Sequence, residues 1–171
     1  ADARLWLGTI APGADLVEAA IDPGQSRPAF GRGDDAWVVG PDAVLRRVDP
    51  EGNAIVVSID GLHPKAQLES IAISRDGTRA ALTIRRGPRT FIMMAIITVR
   101  EGALRIESPV RVDNRLTTVS DVAWADDDRL VALGVEGAGA PGVFEIDISR
   151  WQIRSPRVGV LSAKHLRQRI G

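Results

Sequence analysis

The sequence predicts an all-β fold: part of a β-propeller, about three to four blades of four-stranded antiparallel sheet. Three features carry that expectation. Residues 68–99 read as consecutive strands, with Ile71, Ile73, Ala81, Leu82 and Ile84 flanking the turn Ser74-Arg75-Asp76-Gly77 and a second polar break at Arg85-Arg86-Gly87-Pro88-Arg89. Asp supplies a local acceptor to such a turn and Gly tolerates positive φ. Residues 91–97 are then apolar without alternation, as a strand covered on both faces requires; a membrane span would need ~20 such residues. Finally, a small residue followed by a bulky one recurs as Ala29-Phe30, Ala72-Ile73 and Ala123-Trp124, 43 and 51 residues apart, close to the ~40–50 residues of a propeller blade.

Each of these pairs precedes a short polar or glycine stretch and a new strand, at 36–39, 80–82 and 130–133. The small residue belongs on the innermost strand, where blades crowd together, and its large neighbour packs between blades. A meander sandwich with accidental spacing is the competing reading. The remaining elements follow in order. Residues 3–10 form a strand with Leu5 and Leu7 on one face and Trp6 on the other, and 15–21 suit a strand better than a short helix. Residues 28–39 are strand, Gly/Asp turn and strand, and 44–48 and 54–59 make a hairpin around Asp49-Pro50-Glu51-Gly52-Asn53. A turn at Arg100-Glu101-Gly102 accounts for the longer second interval. Past Asp126-Asp127-Asp128 come strands at 130–135 and 143–148 around a glycine-rich loop, with 151–153 and 157–161 as the outer strand. In the terminal segment, Ser162 as N-cap and Leu166 and Ile170 at helical spacing suit a short helix or a basic tail. The blades so drawn are 1–27 (partial), 28–66, 67–114 and 115–161, with 162–171 as a tail. Closed propellers have ~4–8 blades, so the chain reads as part of a larger one, and an open arc exposes a blade edge suited to self-association.

With 22 basic and 22 acidic residues, the chain has no global field to favour nucleic acid or an anionic membrane. It has no cysteine, which excludes disulfides, thiolate catalysis and thiolate metal sites. No signal peptide is visible at 1–10, so any targeting segment is expected to have been removed or to lie upstream.

Few residues invite chemistry. Residues 137–142 spell Gly-x-Gly-x-x-Gly, but a strand follows instead of the helix N-terminus that a dinucleotide needs. Three contiguous aspartates at 126–128 cannot converge on one cation and suit a solvated turn, as Asp34-Asp35 does in another repeat. His63 and His165 stand apart in a loop and in the tail, with no triad around them. The tryptophans Trp6, Trp37, Trp124 and Trp151 lie at strand positions and are assigned to blade packing rather than a carbohydrate platform. No catalytic residue, metal ligand or cofactor is expected. The densest basic cluster, Arg85, Arg86 and Arg89 on a hairpin tip, is the candidate partner contact.

The runs 70–82, SIAISRDGTRAAL, and 119–134, VSDVAWADDDRLVALG, make residues 28–150 resemble the C-terminal β-propeller domain of the LpqB-type lipoproteins of actinobacteria, carried best by 71–82 and 122–133. The resemblance implies an exported protein, held at the cell membrane by a lipidated cysteine, with a germination-related domain before the propeller. It further implies a non-enzymatic module that assists the membrane sensor kinase of a two-component system, binding its ectodomain or another envelope protein. The anchor cysteine and the preceding domain lie outside this sequence, and the resemblance transfers no catalytic residue. The alternative is a fragment of a propeller enzyme acting on glycans or lactones, which would gather acids or histidines at the axial end.

Overall fold

The computed structural model describes residues 4–149, apart from 9–14, 20, 22–26, 32–33 and 114, together with the strand residues 161–162 and 166–168. Every regular element among them is a strand. The first two, β1 (Leu5–Leu7) and β2 (Val17–Ala19), pair antiparallel as a two-stranded sheet. A four-stranded meander follows: β3 (Ala29–Phe30), β4 (Ala36–Val39), β5 (Leu45–Val48) and β6 (Ala54–Val56). After β7 (Ser58–Ile59) comes a second meander of β8 (Gln67–Ile73), β9 (Arg79–Arg86), β10 (Arg89–Arg100) and β11 (Ala103–Asp113). The third is β12 (Leu116–Asp126), β13 (Arg129–Glu136) and β14 (Pro141–Asp147), with β15 (Leu161–Ser162) and β16 (Leu166–Gln168) beyond it. These sheets are propeller blades.

The recurring dipeptide has the structural equivalence its spacing predicts. Ala29, Ala72 and Ala123 all lie on the first strand of a blade, opposite Trp37, Ala81 and Val131 of the second strand. Their bulky neighbours Phe30, Ile73 and Trp124 face Ala36, Ala80 and Leu130 in the same register. Burial then diverges: Ala72 and Ile73 are buried and Trp124 packs against a core, but Ala123 is exposed and Phe30 is 64% exposed, so crowding does not act equally at all three pairs.

Strand β10 shows why an unbroken apolar run belongs here. Ile92 and Met94 join a core with Val122, Leu130, Ala132 and Phe144 of the following blade. Phe91, Met93 and Ala95 join another with Trp37, Val39 and Leu45 of the preceding blade. Successive side chains of a strand point to opposite faces, so a blade covered on both sides needs apolar residues at both parities. Strand β4, AWVV, repeats this on a smaller scale: Trp37 and Val39 face the second meander, whereas Ala36 and Val38 pack with Leu5, Leu7 and Ala19. The blades are also tied by polar contacts. The Trp124 indole donates to the Ala72 carbonyl at 3.1 Å while Arg79 lies 4.9 Å over its ring, and Val119 N–H donates to Thr90 Oγ1.

Four details depart from the sequence reading. The expected strand 54–59 is two strands, because Val57 turns inward, buried, with its N–H on the Leu45 carbonyl; β6 completes the first meander and β7 pairs in parallel with β11 of the next. Leu166–Gln168 is a strand against β14, not a helix or tail. The unpaired backbone along the edge of β14 outweighs a weak i, i+4 apolar pair. Trp6, assigned to blade packing, is 50% exposed, since β1 buries Leu5 and Leu7 and turns its intervening side chain outward. Leu161 and Ser162, expected on the outer strand of the third blade and as an N-cap, instead pair in parallel with β11 of the second blade, and the other residues assigned to the outer strand, 151–153 and 157–160, lie outside the described ones.

Candidate functional site: an arginine-lined groove

The β9–β10 hairpin sorts its cationic residues by parity. Arg86 faces Arg89, Arg85 faces Thr90 and Ile84 faces Phe91 in the antiparallel register, so Arg85 lies on one face of the blade and Arg86 and Arg89 on the other. Gly87, with φ of 60°, takes the first turn position and Pro88 the second, which holds the two flanking arginines side by side. Arg85 is committed, its Nε 2.8 Å from the Glu69 carboxylate of β8. Arg86 and Arg89 are exposed, and no carboxylate among the described residues pairs with them.

On that second face, Arg86 and Arg89 line a groove of about 440 Å³ with Arg111 of β11. Met93 faces Arg111 in register, and the Arg111 guanidinium stacks 4.8 Å over the Phe91 ring. Stacking on an aromatic face leaves the edge donors of a guanidinium outward for a planar acceptor. Ile84, Phe91 and Met93 supply the apolar part of the lining, and the connection after β7 closes it with Gly61, Leu62, His63 and Ala66. His63 Nδ1 accepts the Lys65 amide at 3.0 Å, which leaves Nε2 to carry the proton of the neutral ring. None of the lining residues among the described ones is acidic. The site can therefore hold a negatively charged group beside an apolar one; its lining shows no nucleophile paired with a base.

Most acidic side chains elsewhere have structural work. Asp76 of the 74–77 turn accepts from the Ser74 hydroxyl at 2.5 Å, the Thr78 hydroxyl at 2.7 Å and the Thr78 amide at 3.1 Å. These bonds, the first two foremost, hold its carboxyl down to about 2. Asp35, assigned to a solvated turn, is buried and 2.5 Å from Arg47. In the aspartate run, Asp126 is held by Arg129, whose other nitrogen lies 2.9 Å from Glu145; hydrogen bonding from Arg129 keeps the Asp126 carboxyl below its ordinary value, and Asp126 and then Glu145 raise the Arg129 guanidinium. No group of histidines and acids among the described residues could hold a metal ion. Residues 137–140 connect two strands as a hairpin loop, and Thr117 Oγ1 donates to the Gly137 carbonyl.

Of the expected arginine cluster, then, Arg86 and Arg89 come together and Arg85 does not join them. The sequence reading missed Arg111 and the groove position of His63. Both are isolated in sequence, and the signal for Arg111 is a register argument: a cation on the neighbouring strand, opposite a residue of the apolar run. His165 and Trp151 lie outside the described residues.

The family model for the lipoprotein LpqB beta-propeller domain matches residues 1–168. The chain belongs to that family. Among its relatives, a lipoprotein LpqB of Mycobacterium ulcerans (strain Agy99) is 29% identical over 137 residues, covering 75% of this chain and 22% of the relative. The LpqB of Mycobacterium tuberculosis (strain CDC 1551 / Oshkosh) is 28% identical over 153 residues, 85% of this chain and 25% of the relative. That of Streptomyces avermitilis is 24% identical over 158 residues, covering 79% and 24%. The chain thus spans about a quarter of the length of these LpqB relatives, which fits an arc of blades within a longer protein. The likeness to LpqB propellers also carries the expectation of an envelope lipoprotein.

Proposed function

We propose that the chain is a non-enzymatic protein-interaction module of an envelope lipoprotein, acting outside the cytoplasmic membrane to assist a two-component sensor kinase by binding its ectodomain. The observation that carries this reading is the groove. It gathers three guanidinium groups on one rim of a blade whose two faces are otherwise given over to packing. Structural arginines of this chain, such as Arg47, Arg85 and Arg129, meet carboxylates of the chain itself, and a rim of arginines without such partners among the described residues is better suited to a carboxylate supplied by another molecule. The bodies of the strands that present the arginines are packed on both sides, so binding costs little ordering of their backbone. Relatives that bear the name lipoprotein LpqB support the envelope location.

The test is retention of purified sensor-kinase ectodomains from the same organism on the immobilised full-length protein. Saturable binding at micromolar concentration or tighter is expected. Absence of retention for every ectodomain tried would overturn the kinase assignment.

A further inference from the structure

We infer that the groove between the β9–β10 hairpin and the 61–66 connection is a receptor for an extended acidic peptide segment that carries an apolar side chain, presented by the protein partner. The inference rests on the interaction-module reading above and names the chemistry of the occupant.

The lining divides into two parts with different demands. Arg86, Arg89 and Arg111 form a cationic rim, and the half-buried Phe91 and Met93 form an apolar wall beneath it, backed by the fully buried Ile84. A free phosphate or an isolated carboxylate would meet the rim and leave the wall facing water. A purely apolar ligand would cover the wall and desolvate guanidinium groups without neutralising them, which is costly. A peptide with carboxylates flanking a bulky apolar residue meets both parts. About 440 Å³ lies within the ~300–1,000 Å³ typical of ligand clefts. The Arg111 guanidinium is preset by its stack on Phe91, so a carboxylate can engage it with little loss of side-chain freedom. Nucleic acid is disfavoured because the cations form one compact rim and the chain as a whole has zero net charge. A lipid surface is disfavoured because the exposed large apolar residues, among them Trp6, Phe30, Val56 and Val99, are not groove residues.

The probe is a fluorescein-labelled, amide-capped peptide of sequence Glu-Glu-Phe-Leu-Glu, set against its counterpart with lysine at each glutamate position, titrated with the full-length protein. The acidic peptide should bind, with affinity falling about tenfold between roughly 0.05 and 0.3 M salt, and the basic one should not. Arg86→Glu, Arg89→Glu and Arg111→Glu combined should weaken the acidic peptide by at least ~30-fold and gain the basic one, a gain that misfolding cannot produce. Arg85→Glu, on the other face, should change neither affinity by more than about twofold. Equal affinity for both peptides, or an unaltered affinity in the triple variant, would overturn the assignment. So would capture of the protein by phosphatidylglycerol vesicles through the same arginines. If the kinase ectodomain binds while the peptide does not, the groove assignment falls and the module reading stands; if the peptide binds and no ectodomain does, the groove assignment stands and only the kinase assignment falls.

Discussion

The two ends of β9 make an internal comparison. At one end the 74–79 turn closes on itself: Ser74 is buried, its hydroxyl donates to Asp76 and accepts the Arg79 amide, Asp76 gathers the Thr78 hydroxyl and amide, and Gly77 takes the positive φ. At the other end, a tighter two-residue turn leaves Arg86 and Arg89 with no carboxylate among the described residues. Both ends derive from the same strand, so burial of the strand does not explain the difference. One set of polar groups is satisfied within the chain and should report on stability; the other faces outward and should report on binding.

Four measurements break or sharpen that contrast, from the largest expected effect to the smallest. Leu82, midway between the two ends and fully buried in the core shared with Trp37 and Val39, sets the scale: Leu82→Ala should cost about 2–5 kcal/mol in urea unfolding. A loss under about 1 kcal/mol would mean the blades are not closely packed there. Asp76→Ala should cost about 1–2 kcal/mol, less than its bond count suggests because the carboxylate is largely exposed. The sign in pH follows from the direction of the shift. A carboxyl at about 2 in the folded protein, against 3.8 ordinarily, stabilises the fold above the ordinary value and loses that contribution as pH falls toward 2. Asp76→Ala should therefore flatten the acid limb of the thermal melting curve between about pH 4 and pH 2, and an unchanged limb would show the turn bonds to be idle. Gly87→Ala, which meets nothing within 4 Å but sits at φ of 60°, should cost about 1 kcal/mol from backbone strain alone, read as a lower melting temperature. Smallest, Arg86→Ala and Arg89→Ala should each leave stability within about 0.5 kcal/mol while weakening ligand binding. A larger loss of stability would recast the rim as structural.

The same comparison marks what sequence alone can reveal. The Ser74-Arg75-Asp76-Gly77 turn was legible because its chemistry is local, with every partner within five residues. The blade repeat was legible because the small-bulky pair keeps one register position on the first strand of each blade, even though Ala123 and Phe30 are exposed there. The groove was half legible: Arg86 and Arg89 flank one turn, but Arg111 reaches them only through the register of β10 with β11, which is offset near Met94 and Ile96 by a bulge at Ser108 and Pro109. His63 is brought in by the connection after β7, for which no local pattern speaks. The edge strand Leu166–Gln168 was misread for a related reason, since its conformation is set by β14, distant in sequence, and not by its own leucine spacing.

One short pairing has a practical consequence for anyone recombining these repeats. Ser58 and Ile59 lie alongside Arg105 and Ile106, and Asp60 bridges to Arg105 at 3.3 Å, so the segment leaving one sheet latches the outermost edge of its successor. The segment 58–60 therefore follows the first meander in sequence but belongs to the second by pairing. A gene cut at Gln67 would begin cleanly on a strand yet discard the latch, uncovering amide groups of β11 for capture by another molecule; a cut before Ser58 keeps the latch with the sheet it protects.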